Sequence, residues 1–378
     1  MHKNFYVAIL FLFISSWVYS QSVCLNEKSL NQLHKLFSDE FKDDEPGGAV
    51  LIKKGDEIIY SGSFGFADME TVDPINENTV FNTGSISKTF VANGILILQD
   101  RGLLSIEDSI DKYFDDFENE EIAAKVKIKH LLSHTSGLPD NREVRRNFDF
   151  FLTAKDDENF EPLKRAISLN FDPGENFQYS NPSYNGLALI IQRVSRQPWQ
   201  EFIIENIFEP CGMPLSKITD GPHPSEDVAH AYVDLGFDFA ENDYGEVPTF
   251  AASGNGGVWS TVHELANYEV CIQNSVFLKP TTVESSRTIF KADKWKASSA
   301  PFLGWGWFLG EKNLIGSESN LGVDIVYHTG SQGGFRAYYI SIPEKKILSI
   351  GLFNRPLDSY NSFMSEPLKL LAENNWLD

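Results

Sequence analysis

The sequence predicts an α+β fold: an antiparallel sheet flanked by helices, with an inserted all-helical subdomain. Three observations carry this. Runs rich in β-branched and aromatic residues lie near both ends of the chain, at 49–61 and again from 305 to 353. Between about 111 and 244 the pattern is instead helical segments and loops with many acids. Residues 85–102 are apolar almost all round, as suits a helix buried in the middle of the protein. A sheet assembled from both termini and packed by helices accommodates all three.

Taken in order, residues 1–20 read as a signal peptide. Met1-His2-Lys3 gives a short basic start, the apolar run from Phe5 to Val18 is too short to span a membrane, and small residues precede Gln21. Cleavage near Ser20 would leave a secreted or periplasmic enzyme with no stable membrane insertion. Cys24 lacks the leading Leu and small preceding residue of a lipid-modified cysteine. One serine hydrolase domain is expected over 21–378, its α/β part at about 21–110 and 245–378 and its helical subdomain at about 111–244.

Leu30, Leu33, Leu36, Phe37 and Phe41 fall at helical spacing within Ser29 to Asp43. Pro46-Gly47-Gly48 breaks that helix. Two strand-like runs then flank Lys54-Gly55-Asp56 as a hairpin. In the middle, helices are expected at Ile128–His134, Glu161–Leu169, Tyr184–Arg196 and Trp199–Phe208. Late strands are expected at Trp305–Leu309, Val323–His328, Phe335–Ile342 and Ile347–Phe353, before a closing helix at about Phe363–Asn374. The face shared by Trp305 and Trp307 reads as core.

The formal charge is −21, and loss of the leader, which holds Lys3 and no acid, makes it −22. Such a chain repels nucleic acid and anionic membranes. Its 29 Phe supply a large core, so disorder is not expected. Cys24, Cys211 and Cys271 are too few for a disulfide framework but leave room for one Cys211–Cys271 bridge. His130 and His134 share a helix face, yet no third ligand follows at useful spacing, so neither a metal nor another cofactor is expected. Acidic clusters such as Asp43-Asp44-Glu45, Asp115-Asp116 and Asp156-Asp157-Glu158 read as solvated surface rather than a paired-carboxylate site.

Chemistry is carried by three short motifs in a fixed order: Ser85-Ile86-Ser87-Lys88, Tyr179-Ser180-Asn181 and His328-Thr329-Gly330. A serine hydroxyl is a poor nucleophile until a neighbour takes its proton. Lysine three residues on stands one helical turn away on the same face. Ser109-Ile110-Asp111-Lys112 has the same spacing, but only Ser85 follows a glycine, opens a buried helix and precedes the other two motifs.

With these motifs the chain resembles the penicillin-recognising serine hydrolases, in the class C β-lactamase-like branch. His130-Leu131-Leu132-Ser133-His134-Thr135-Ser136-Gly137-Leu138-Pro139, Pro173-Gly174 and Gly256-Gly257-Val258-Trp259-Ser260-Thr261 extend the likeness over nearly the whole mature chain. The resemblance implies the fold described above. It also implies Ser85 as nucleophile, Lys88 as its activator, and Tyr179 as general base and proton donor with phenolate character favoured by Lys88. Asn181, His328, Thr329, Gly330 and Ser331 would bind substrate, with the backbone amides of Ser85 and Ser331 as oxyanion hole.

His328 stands where penicillin-hydrolysing members usually carry lysine. It offers a weaker cation for a substrate carboxylate, with Arg336 on the same sheet. Turnover of carboxylate-bearing substrates is therefore expected to fall as pH rises past about 7. The expected partner is a small-molecule or peptide substrate, such as a peptidoglycan stem peptide. A D,D-carboxypeptidase-like activity comes first, with β-lactamase or short-chain esterase as alternatives. A catalytically silent penicillin-binding protein is the alternative of another class.

Overall fold

The computed structural model describes residues 27–42, 44–142, 147–221, 224, 228–236, 238–241, 251–292, 294–299, 301–313, 320–357 and 360–377. The expected leader at 1–20 and Cys24 lie outside them, as does Asp43. Helix α1 (Glu27–Ser38) is followed by β1 (Gly48–Lys54) and β2 (Glu57–Phe64), joined through Gly55 with φ +58°. Helix α2 (Ser87–Asp100) comes next, entered through a 3₁₀ turn at Gly84–Ile86. The middle of the chain includes α3 (Ile128–Leu132), α4 (Asp156–Lys164) and α5 (Asn181–Ser195). After α6 (Val262–Gln273) come β3 (Phe308–Asn313), β4 (Asn320–Gln332), β5 (Phe335–Ile342), β6 (Ile347–Phe353) and α7 (Tyr360–Glu373).

The six strands form one antiparallel sheet in the order β3-β4-β5-β6-β1-β2. Its centre joins the two ends of the chain, with Leu51 opposite Ile350 in the β1–β6 pair. Alternating side chains enter two separate cores. Ala49, Leu51, Tyr339, Ile350 and Leu352 face the cluster built by α2, α5 and α6. Val50, Ile52, Tyr338, Ile340 and Phe353 face the cluster holding Phe37 of α1 and Phe363, Leu368 and Leu371 of α7. Covered on both sides, β6 is buried at every position, so it reads as a mostly apolar run, broken by Ser349, rather than an alternating one.

The structure departs from the sequence reading in four places. The helix expected at Glu161–Leu169 runs instead from Asp156 to Lys164. Trp305 precedes the strand, which begins only at Phe308. Gly306 takes φ +80° there, and a Cβ on it would stand 2.5 Å from the Ala92 Cβ, so this corner bends against α2. Trp305 and Trp307 are both buried. The opening helix stops at Ser38. Between 111 and 244 the chain also adds short strands: Lys217–Ile218 pairs with Val258–Ser260, and Tyr232–Asp234 pairs with Phe239–Glu241. Cys211 and Cys271 are joined as a disulfide.

Candidate active site

Local hydrogen bonds fix the turn that presents Ser85. The Asn82 side chain accepts from Gly84 N at 2.7 Å, and the Thr83 amide and hydroxyl both donate to Val258 O. Ser87 Oγ accepts from Val258 N at 3.0 Å. Gly84 takes φ +52°, and a Cβ there would lie 2.6 Å from Ser331 N. A Cβ on Gly330 would lie 2.1 Å from Thr83 O. Glycine at both positions lets the serine turn and the edge of β4 touch backbone to backbone. Ser85, Gly330 and Ser331 are thereby brought together, with Ser85 just ahead of the leading end of α2. The hairpin after β4 turns on Gly333-Gly334, with φ +52° at Gly333 and Gln332 paired to Phe335.

Lys88 is wholly buried and donates to Ser85 Oγ at 2.9 Å and to Asn255 O at 2.7 Å. Its ammonium stands 5.2 Å from the Tyr179 ring centre and 5.8 Å from that of Tyr184. Burial, with the Arg142 charge nearby, holds its pKa well below the ordinary lysine value. Tyr179 lies in the loop before α5 and shares a hydrogen bond with Ser85. Tyr179 keeps 38% of its surface exposed, yet desolvation of the phenol outweighs that bond and pushes its pKa up to about 12. That direction gives no support to the expected phenolate character, whereas burial loosens the proton of the Lys88 amine.

His328 requires a second correction. Its Nδ1 donates to Thr329 O at 2.7 Å, and burial together with the Lys88 charge pulls its pKa down to about 3. That direction makes it a poor cation and gives no support to the expected fall in turnover past pH 7. Arg336 donates to Gly333 O and Phe335 O. Thr329 sits opposite Tyr338 in the β4–β5 pair. Asn181 opens α5, and its side-chain oxygen is buried without a partner among the described residues.

Several supporting residues escaped the sequence reading. His134 stacks on Tyr179 with ring centres 4.3 Å apart, and its Nδ1 accepts from Ser180 N at 3.0 Å. His130 Nδ1 accepts from Lys127 N, so the two histidines serve different backbones. Tyr184 donates to Leu132 O beneath them. Asp156, read as surface, is buried. Its carboxylate accepts from Asn185 at 2.6 Å, Trp199 Nε1 at 2.8 Å, Ser253 Oγ at 3.3 Å and Gly254 N at 2.8 Å. Asn185 accepts from Asn255 Nδ2 at 2.9 Å, so a hydrogen-bonded chain runs from Asp156 to the carbonyl that holds Lys88. The decoy motif is spent otherwise: Ser109 bonds Asp111, and Lys112 pairs with Asp108.

This fold, with a buried lysine at a serine beside a sheet edge, defines a serine hydrolase of the acyl-transfer class. The chain belongs to the Beta-lactamase family, whose model matches residues 33–367. It is 28% identical over 348 residues to Penicillin-binding protein 4* of Bacillus subtilis (strain 168), covering 89% of this chain and 74% of that one. The octameric penicillin-binding protein homologue from Pyrococcus abyssi superposes with TM-score 0.73 at 26% identity, over 90% of this chain and 77% of its own. D-amino acid amidase from Ochrobactrum anthropi SV3 shares the fold, with TM-score 0.73 at 21% identity over 92% and 98% of the two chains. Among the described residues no helix is long and apolar enough to cross a membrane.

Proposed function

We propose that the chain hydrolyses a peptide, amide or ester through an acyl-Ser85 intermediate. The observation that carries this is the 2.9 Å contact between the buried Lys88 Nζ and the half-buried Ser85 Oγ, with the Tyr179 phenol on the same oxygen. In its neutral form Lys88 takes the Ser85 proton as Oγ bonds to the substrate carbonyl carbon. Tyr179 then gives its proton to the leaving group and regains one from the Lys88 ammonium. The Ser85 and Ser331 amides receive the oxyanion; one such donor is worth about 3 kcal/mol. Water completes the cycle, losing its proton through the same pair, and Ser85 recovers its own.

The likeness to Penicillin-binding protein 4* supports a D,D-carboxypeptidase-like reading, in which the orphan Asn181 oxygen accepts a substrate amide N–H. A second reading has its own observation. The neutral His328 gives no charge to a terminal carboxylate, which favours an uncharged ester or amide and disfavours β-lactamase activity. Export is proposed with either reading.

Fluorescent penicillin and a fluorophosphonate, with Ser85→Ala as control, test the acyl-enzyme. Label on the native protein and none on the variant is expected. A folded native protein that takes neither probe would instead be a silent member of the family. Nitrocefin, a D-Ala-D-Ala peptide and a short-chain nitrophenyl ester then separate the substrate readings.

A further inference from the structure

A cavity of about 600 Å³ lies between α3 and the loops at 172–174 and 290–294, apart from the Ser85 residues. Lys125, Lys127, Lys129, Lys291 and Lys294 line it, with His130 and a single lining acid, Asp172. In a chain of charge −21, five lysines in one concavity call for an account. Lys127 and Lys129 share the Glu107 carboxylate at 2.8 and 2.7 Å, so that pair keeps one excess positive charge. Glu175 is bonded by Lys296 and feels Lys294 through space. Lys125 and Lys291 are exposed and have no ion pair among the described residues; Asp293 lies outside those residues.

His130 adds a donor to the concavity. It is only 7% exposed, and its Nδ1 accepts the Lys127 backbone N–H at 3.0 Å. The neutral ring therefore carries its proton on Nε2. That donor has no partner among the described residues and faces Gly174 in the cavity wall, 3.9 Å from where a Cβ would stand. It opens on the cavity, where an anionic oxygen would accept from it.

We propose that this cavity binds an anion carrying two or more phosphate groups. One exposed lysine contact is worth only about 0–1 kcal/mol, so a useful ligand must meet several ammonium groups at once. At physiological ionic strength the acidic remainder of the molecule is screened beyond about 8 Å, leaving the local lysines to decide. Free oligophosphate and a phosphodiester chain share this chemistry.

Calorimetric titration of the full chain with inorganic diphosphate, at constant ionic strength, tests the proposal. Saturable binding is expected, with no saturable heat from acetate. The Lys125→Gln/Lys291→Gln/Lys294→Gln variant should bind at least tenfold more weakly while keeping the native melting temperature and ester turnover. A phosphodiester oligomer without terminal monoesters, run in parallel, separates a polymeric source from a free one. Binding by neither phosphate probe, or binding that survives the triple substitution unchanged, overturns the site.

Discussion

Among the described residues Lys88 contacts no carboxylate; what holds it is two oxygens, one of them the nucleophile. A buried amine in that setting is costly to charge, which readies it to accept a proton. Lys88→Met should therefore cut kcat by about 10³-fold, within the range a positioned base supplies, and leave the melting temperature unchanged or raised. Lys88→Arg separates a base from a mere positive charge. A guanidinium cannot give up its proton, so this variant should be inactive at every pH, whereas the native rate should fall in acid as Lys88 becomes charged. Activity retained in Lys88→Arg would remove the amine from the base role. At His328 the direction is gain: His328→Lys should raise kcat/KM for a carboxylate-bearing substrate over a neutral ester by about tenfold, equivalent to ~1.4 kcal/mol. Native selectivity between the two should not change from pH 6 to 8 on account of His328, because burial beside Lys88 pulls its pKa down to about 3.

Among the elements, the turn at Ser253–Gly256 matters most, since it supplies the Asn255 carbonyl and is tied down by Asp156. Burial raises the Asp156 pKa to about 6 despite four hydrogen bonds that favour the charge. Being raised, it makes the folded state the better proton binder, so its contribution to stability weakens as pH climbs from about 4 to 6. Asp156→Ala should lower kcat by about tenfold or more with little change in KM, and should shift the acid limb of the rate profile set by Lys88. A loss of stability with an unchanged profile would reduce Asp156 to a purely structural residue. The sequence showed why α2 is buried and where Ser85 opens it, because apolar periodicity and motif order are local signals. It could not show Asp156, whose partners come from α5, Trp199 and residues 253–254; beside Asp157 and Glu158 it looks like one more surface acid. The same holds for His328, where residue type suggested a weak cation and only enclosure beside Lys88 reveals a neutral ring.

At the scale of the whole molecule, an enclosed charge cluster ties the sheet to its helical layer. Glu269 of α6 accepts from Arg287 at 2.8 and 2.6 Å, from Ser341 at 2.6 Å and from Tyr339 of β5. Arg287 also lies over the Trp307 ring, 4.8 Å from its centre. Both side chains are almost fully enclosed, at 7% and 2% exposure. Burial opposes the Glu269 charge, but the Arg287 guanidinium and the hydroxyl donors win and hold its pKa below the ordinary 4.5. A depressed carboxylate stabilises the fold above its unfolded pKa, and that stability is lost as pH falls through the folded value. Arg287→Met should cost about 3–5 kcal/mol, since it strands a buried carboxylate. The Glu269→Met/Arg287→Met pair should cost much less, because no charge is left behind. Urea midpoints for the three proteins at pH 7 and pH 4 provide the check: the single variant should gain on the native protein as Glu269 becomes protonated. Equal losses in the single and double variants at both pH values would mean that packing, and not the ion pair, joins sheet to helices here.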